Sequence, residues 1–186
     1  MKQIIGAALA ALLIAAPAHA ATKWQAEPDP QTITWTGTAG SSPLAGACAV
    51  FDADITFDAD ALDHAAIKVT IDMAKCQTGE ARKDEYLPQE LWFNIAKYPS
   101  ATFESKKITH LEGDKYLATA ALTIKGITAD IELPFTLTIE GDKAHVVGET
   151  SLSRMVYRVG DGPELMANQV ASIDIAVKIN LRATRQ

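Results

Sequence analysis

The sequence predicts an all-β protein with about eight antiparallel strands, arranged as a barrel or a sandwich. Apolar residues occupy every second position over most of the chain, most clearly from Ile127 to Glu140, and a period of two is typical of half-buried strands. Short turns such as Lys125-Gly126 join the alternating stretches, which favours antiparallel neighbours. One long stretch, Gln77–Phe103, lacks the alternation, and we name it the lid segment.

The first twenty residues have the composition of a secretory signal peptide. Lys2 supplies a positive start, residues 4–16 form a short apolar run, and Ala18-His19-Ala20 is an A-x-A cleavage site. We therefore predict cleavage near Ala20 and one mature domain over 21–186, which is periplasmic or secreted. The alternative is a retained membrane anchor, but neither this run nor any later one reaches the ~20 residues of a spanning helix.

The first half of the domain contains three alternating stretches. In chain order we predict a strand at Thr32–Thr36, a Gly/Ser/Pro loop at Ala39–Gly46, a strand at Ala47–Phe57, a turn at Asp58–His64 and a strand at Ile67–Met73. The odd-numbered apolar residues of the last two strands are expected to face inward.

The second half continues the pattern after the lid segment. The expected strands are Ala101–Ile108, Tyr116–Ile124, Ile127–Glu140, Lys143–Arg154 and Val170–Leu181, with a loop at Val159–Asn168. Pro134 lies on the outward parity of its strand and has no amide hydrogen to donate, which predicts a bulge or a locally open edge there.

The lid segment combines charge with aromatic residues. Arg82, Lys83, Asp84 and Glu85 lie in a predicted short helix within residues 79–93, and Trp92, Phe93 and Tyr98 follow. Such an insertion in a strand-rich chain predicts a cap or binding loop. A solvated helix face and ordinary packing under a loop explain the same residues.

The inward positions include many small residues, among them Ala118, Ala120 and Ala129. Small residues leave volume inside an eight-stranded barrel, which either larger neighbours or one small ligand can fill. The pattern alone leaves a packed core and a cavity as equal alternatives.

The two cysteines are predicted to form a disulfide. If the turn is centred near residue 62, Asp54 opposes Thr70 and Asp52 opposes Asp72, and the same register pairs Cys48 with Cys76 on the polar face. Export permits the bond. Two free thiols are the alternative, since one bulge would change the register.

Familiar catalytic and metal-binding patterns are missing from the sequence. It contains no G-x-S-x-G elbow, no H-E-x-x-H and no Walker loop. His64, His110 and His145 have no ligand spacing, so neither a metal nor a cofactor is expected. The formal charge of −6 without a basic cluster makes nucleic acid a poor partner.

Several of these stretches together resemble the YceI-like family. The lid segment resembles its T-G-x-x-x-R-D-x-H-L and Y-P-x-x-x-F-x-S patterns, beginning at Thr78 and Tyr98 respectively. Leu122–Thr128 is similar to its L-T-I-R/K-G-V-T, and Arg154 with Tyr157 to its R-x-x-F. Lys83 stands at the family's Arg, Tyr86 at its His, Asn94 at an Asp and Arg158 at a usual Gly.

The resemblance implies a lipocalin-like, eight-stranded antiparallel barrel with an apolar tunnel. The implied ligand is a long-chain amphiphile: a polyisoprenoid, an isoprenoid quinone or a fatty-acid derivative. On this basis, the predicted tunnel lining is Phe51, Ile71, Trp92, Phe93, Leu133, Phe135 and Tyr157. The predicted polar mouth is Arg82, Lys83 and Asp84.

These expectations favour a non-enzymatic lipid-binding protein without a transmembrane anchor, as a monomer or a homodimer. Two alternatives remain at this point. One is an enzyme acting on a lipid head group with Asp84 as acid or base. The other is a filled barrel that assists a membrane redox complex, and an exposed aromatic patch at Trp92–Tyr98 would favour it.

Overall fold

A computed structural model describes residues 22–27, 29–49, 51–168 and 170–186, so the predicted signal peptide lies outside the described residues. These residues form eleven strands and two short helices. The strands are β1 (Lys23–Glu27), β2 (Ile33–Ala39), β3 (Ser42–Cys48), β4 (Phe51–Thr56), β5 (Ala66–Asp72), β6 (Cys76–Gln77), β7 (Ser100–His110), β8 (Lys115–Ile124), β9 (Ile127–Glu140), β10 (Lys143–Ser153) and β11 (Asp174–Arg185). The helices are α1 (Ala81–Asp84) and α2 (Pro163–Ala167).

Eight of the strands close into a barrel. The ring runs β1-β4-β5-β7-β8-β9-β10-β11 and returns to β1, with antiparallel neighbours throughout. The prediction of an eight-stranded antiparallel barrel is therefore confirmed. Period-two burial explains the arrangement, because each long strand places one row of apolar side chains inside.

The wall closes differently at its two ends, because β11 changes partner along its length. Arg182–Arg185 pairs with β1, whereas Ala176–Ile179 pairs with β2. From β2 the wall continues through β3 to the two-residue β6. A single 3₁₀ turn, Met73–Lys75, joins β6 back to β5. The end closed by β2, β3 and β6 carries the lid segment, and we call it the mouth.

The opposite end is filled with aromatic side chains. The Tyr116 ring stacks on Phe135 at 5.4 Å between centroids and meets the edge of Phe57 at 5.7 Å. The indole of Trp24 donates to the Phe57 carbonyl at 2.9 Å. This buried cluster closes the packed end of the barrel.

The structure corrects the predicted local geometry near the cysteines. The predicted loop over 39–46 is wrong, because Ser42–Cys48 forms β3 in a hairpin with β2. The predicted register is also wrong: Asp52 opposes Thr70, and Asp54 opposes Lys68. A 3₁₀ turn at Leu62–His64 shifts the centre of the connection, which alternation cannot reveal.

The predicted disulfide itself is confirmed. Cys48 and Cys76 are bonded and directly opposed, but on the β3–β6 ladder. Both cysteines are buried against Ile33, Met73 and Ala101, so their placement on the polar face is wrong. The inward parity changes from even residues in β3 to odd residues in β4 because the two strands are separate elements.

Pro134 marks the place where the barrel wall opens. The β9–β10 ladder ends at the pair Phe135–Gly148, next to the proline that has no amide hydrogen to donate. Beyond it, residues 127–134 of β9 pair with β8, and residues 149–153 of β10 pair with β11. The predicted open edge is confirmed, and we call this split the seam.

Removal of the disulfide should destabilise the barrel, and reduction of the wild-type protein tests whether the bond exists. The cysteines are 28 residues apart, and cross-linking a loop of that size stabilises a protein by about 3–4 kcal/mol in the chain-entropy description. We expect the double variant Cys48→Ala/Cys76→Ala to lose about that much free energy of unfolding in urea. Reduced wild-type protein is the matched control and should behave alike; an unchanged intact mass on reduction would refute the bond.

Candidate functional site

The barrel encloses a long apolar cavity of about 650 Å³. It extends from Trp24 and Ala183 near the packed end to Trp92 and Val159 at the mouth. A volume in the range of ~300–1,000 Å³ is usual for ligand pockets. The alternatives left open by the inward alanines are thus resolved in favour of a cavity.

Inward-facing strand positions supply most of the lining. It includes Ile33, Trp35, Phe51, Ile55, Ile67, Val69, Ile71, Phe103, Leu122, Ile131, Leu133, Phe135, Val146, Leu152, Ile175, Val177, Ile179 and Leu181. Polar groups among the described lining residues are few and lie mainly towards the mouth: Thr32, Thr78, Glu80, Arg82, Lys83, Tyr86, Thr150, Arg154 and Tyr157. Such a surface can accept a hydrocarbon chain, with polar contacts concentrated at one end.

The lid segment folds over the mouth as far as Pro99, whereas its last four residues, 100–103, belong to β7. Its root is fixed by Asp84, whose carboxylate accepts hydrogen bonds from the Thr78 amide at 2.6 Å and the Thr78 hydroxyl at 2.7 Å. Farther along, Phe93 and Ile95 pack against the buried cluster around the disulfide. The lid segment is therefore held at its root by hydrogen bonds and at its centre by apolar contacts.

A second element covers the mouth, and we call residues 155–173, which include α2, the capping loop. The two covers are joined by a hydrogen bond from the Gly160 amide to the Leu91 carbonyl at 2.6 Å. The Trp92 ring lies so close to Gly160 that a β-carbon there would come within 3.1 Å of it. Gly160 also has a φ of 66°, so glycine satisfies both the close approach and the backbone conformation.

Arg154 closes the capping loop from inside. It is 6% exposed, and its guanidinium donates to the carbonyls of Val159, Gly160, Ala171 and Ser172 at 2.6–2.9 Å. Burial lowers the pKa of Arg154, while the charge of Asp161 opposes that shift. The residue stays charged because an arginine side chain titrates far above physiological pH. Four of its donors hold these carbonyls, and the guanidinium also donates to the Met166 Sδ at 3.4 Å. Arg154 therefore has a structural role.

Charged side chains surround the entrance. Lys83 pairs with Glu80 at 2.6 Å, and Arg158 pairs with Asp161 at 2.7 Å. The hydrogen bond from Arg158 lowers the pKa of Asp161. Arg82 is exposed at the cavity rim and has no acidic partner within 4 Å among the residues described. The entrance therefore offers one uncommitted guanidinium.

Nine of the ten predicted ligand-binding residues line this cavity. They are Phe51, Ile71, Arg82, Lys83, Trp92, Phe93, Leu133, Phe135 and Tyr157. Asp84 is not among the lining residues, because its carboxylate holds Thr78. Contact of these residues with a ligand stays a prediction.

Sequence reasoning missed other residues of the site. Ile175 and Val177, which the alternation of the last strand places on its inward face, were not included in the predicted lining, and Trp35 lies on the first predicted strand, to which the same parity argument applies. Leu87 and Val159 lie in irregular segments without a periodic signal. Arg158, at the family's usual glycine, adopts a φ of 54°, which glycine would adopt without steric cost.

The described residues include no group of three or more His, Cys, Asp or Glu side chains placed to hold a metal ion. Among the same residues, no helix has the length and apolar character needed to cross a bilayer.

Loss of the Arg154 clamp should destabilise the protein strongly. Arg154→Met leaves four backbone carbonyls without their donors, and each buried unsatisfied group costs about 1–3 kcal/mol. We expect urea unfolding to show a loss of at least about 3 kcal/mol, with partial recovery in Arg154→Lys, which has fewer donors. Arg158→Met, the same change at the exposed neighbour, should leave stability nearly unchanged; equal losses in both variants would contradict the clamp.

Comparisons with known protein families and sequences identify relatives of this chain. The family model described as YceI-like domain matches residues 24–184. Protein YceI of Salmonella arizonae is 31% identical over 144 residues, covering 76% of this chain and 75% of that protein. A UPF0312 protein of Photorhabdus laumondii is 37% identical over 102 residues, and the match spans 55% of this chain and 53% of that relative.

Solved structures show the same barrel. Burkholderia cenocepacia BcnA has a TM-score of 0.77 at 28% identity, covering 82% of this chain and 95% of that one. A polyisoprenoid binding domain from Saccharophagus degradans has a TM-score of 0.68 at 15% identity, covering 88% and 98% respectively. The family-model match over residues 24–184 and the 31% identity to the Salmonella protein show that the chain belongs to the YceI-like domain family.

Proposed function

We propose that this protein is an exported, non-enzymatic carrier or store for one long-chain amphiphilic lipid. The candidate ligands are a polyisoprenoid, an isoprenoid quinone and a fatty-acid derivative. The observation that carries the proposal is the covered, almost wholly apolar cavity of about 650 Å³.

Burial of the chain supplies the binding energy. Each methylene transferred from water contributes about 0.8 kcal/mol, so ten contribute about 8 kcal/mol. The freedom that the protein and the lipid lose on association, together with the ordering of the chain, offsets about 4–15 kcal/mol of this gain. Useful affinity therefore needs a chain long enough to follow the barrel interior well beyond the mouth.

The entrance favours a polar head group. Arg82 lies at the rim without an acidic partner among the described residues, and Lys83 lies beside it. A cation there attracts an anionic or strongly dipolar head group, while the chain occupies the barrel. Lysine at the family's usual arginine position gives a point charge in place of a two-pronged donor.

The Saccharophagus domain supports the ligand class by analogy of fold alone, because its identity to this chain is 15%. A packed barrel was the condition for the redox-assistance alternative, and the cavity removes that support. The enzyme alternative has no geometric support, since the Asp84 carboxylate is bound to Thr78 and does not line the cavity.

The proposal of export rests on the composition of residues 1–20. It agrees with the disulfide, because such a bond persists in oxidising compartments. We expect the protein from a native host to begin at Ala21 and to appear in the periplasmic or culture fraction. Terminal peptide mass spectrometry of fractionated cells checks this; an uncleaved Met1 terminus in the cytoplasmic fraction would refute export.

Partial filling of the cavity should weaken binding without unfolding the barrel. Leu133 faces the cavity, so Leu133→Trp places a large apolar group inside it. We expect binding of a quinone or prenol to weaken about tenfold or more, measured by displacement of a fluorescent alkyl probe. Glu132→Gln, on the outward face of the same strand, is the matched control.

Mass spectrometry of organic extracts from purified wild-type protein should reveal a long-chain species, and extracts of Leu133→Trp should contain much less. Repeated absence of such a species, together with no binding of added quinone or prenol, would refute the proposed function.

A further inference from the structure

The seam is a part of the barrel wall that has no backbone ladder. Pairing between β9 and β10 stops at Phe135–Gly148, and beyond it residues 127–134 face residues 149–153 without ladder pairs. β9 begins at the mouth, after the turn Lys125-Gly126, and β10 ends there, before the capping loop. The split therefore runs from the middle of the wall to the rim, as a slot that is continuous with the mouth.

At the seam, one layer of side chains separates the cavity from the outside. An external cleft lies over the split, between β9 and β10. Four residues line both this cleft and the main cavity: Ile131, Thr150, Leu152 and Tyr157. Displacement of these side chains alone would connect the cavity with solvent.

Tyr157, from the capping loop, fills the split. The residue is 3% exposed and packs against the partly buried Ile127, Ala129, Ile131 and Leu152. Its hydroxyl has no hydrogen-bond partner in the part of the chain that the structure describes, although most buried hydroxyls are paired. An outward movement of the ring would lose apolar contacts, but it would break no bond of the hydroxyl and would bring that group to water.

Two side-chain hydrogen bonds hold the seam closed. The Thr150 hydroxyl donates to the Glu132 carbonyl at 2.8 Å. Nearer the mouth, the Lys125 ammonium donates to the Arg158 carbonyl at 2.7 Å and so links the β8–β9 turn to the capping loop. Both bonds are exposed, so water replaces the lost partner when either one breaks.

The covers of the mouth are held more firmly than the seam. The lid segment is fixed at its root by the disulfide and by two hydrogen bonds to Asp84. The capping loop is fixed by four carbonyl bonds to the buried Arg154. Opening the mouth breaks several buried bonds, whereas opening the seam breaks two exposed ones, so the seam is the easier way into the cavity.

We propose that the seam is a side port, through which the hydrocarbon chain of the lipid enters and leaves the barrel sideways while the head group stays at the mouth. This inference rests on the proposed function, because it assumes that a lipid occupies the cavity. Since the slot reaches the rim, a long chain passes between β9 and β10 along its length and need not be threaded end-on beneath the two covers.

The first test locks the seam with a covalent link. Glu132→Cys/Ser151→Cys places thiols at two exposed positions on opposite sides of the outer cleft, and a short bifunctional thiol reagent joins them. Thr138→Cys/His145→Cys is the matched control, because these exposed residues are directly opposed in the paired part of the same two strands. The native cysteines are buried and bonded to each other, so the reagent does not reach them.

The probe is cis-parinaric acid, a fatty acid that becomes fluorescent in apolar surroundings. Equilibrium titration gives its affinity, and stopped-flow mixing gives its rates of uptake and of release into excess oleic acid. We expect the seam lock to slow both rates about tenfold or more and to leave the affinity within about twofold, because a blocked port changes the barrier and not the bound state. The control lock should change neither quantity.

A second test weakens the seam without any cross-link. Thr150→Val removes the hydroxyl that bonds Glu132 and keeps the shape of the side chain, so release should become about 2- to 10-fold faster, the effect of one hydrogen bond. Thr136→Val is its control: the Thr136 hydroxyl donates to the Val147 carbonyl at 3.4 Å across the same two strands, within their paired part. That variant should release the probe at the wild-type rate.

The outcomes separate the port from the proposed function. Unchanged rates in a seam lock whose cross-link is verified by intact mass, or equal slowing in the control lock, would overturn the port while leaving lipid binding intact. Wild-type release rates in Thr150→Val would also count against it. If wild-type protein binds neither parinaric acid nor a prenol at equilibrium, the proposed function fails, and this inference fails with it.

Discussion

The architecture depends on the covalent link between β3 and β6. β11 is shared by two sets of partners, so the mouth end closes through β2 and β3, while the packed end closes through β1. The final pairing of the mouth wall involves a strand of only two residues, Cys76–Gln77, too short to contribute much ladder stability. The Cys48–Cys76 bond holds that pairing. The lid segment leaves the sheet from this point, so its position follows from the bond.

Much of the fold could be predicted because a strand buried on one face must alternate. That constraint identified the ring strands of the second half and the inward row of β9. It could not identify β1, which has five residues, or β3, whose serine, proline and glycine residues and exposed first positions resemble a loop. The cysteine pairing was correct although the register from which it was derived was wrong. The 3₁₀ turn at Leu62–His64 shifts the β4–β5 register, whereas the two cysteines meet on the separate β3–β6 ladder.

The sequence could predict those residues of the candidate site whose position follows from the type of their side chain. Apolar lining residues follow from parity, whereas Arg154 and Asp84 bind backbone groups, which every residue possesses. Nothing in a one-dimensional pattern distinguishes an arginine that clamps four carbonyls from one at a rim. The structure separates polar groups that are already satisfied by the protein, such as the Asp84 carboxylate and the Arg154 guanidinium, from the exposed Arg82 guanidinium, which has no acidic partner within 4 Å among the residues described.

The seam beside Pro134 also affects how the barrel moves. Amides of β9 and β10 that face the split lack ladder partners there, so their exchange with solvent deuterium needs no strand separation and should precede exchange in the rest of the sheet. A wall that can widen without breaking a backbone ladder can change its circumference at low cost. The place where the wall can widen is set by a single proline in the sequence, next to the pair Phe135–Gly148 at which the β9–β10 ladder ends.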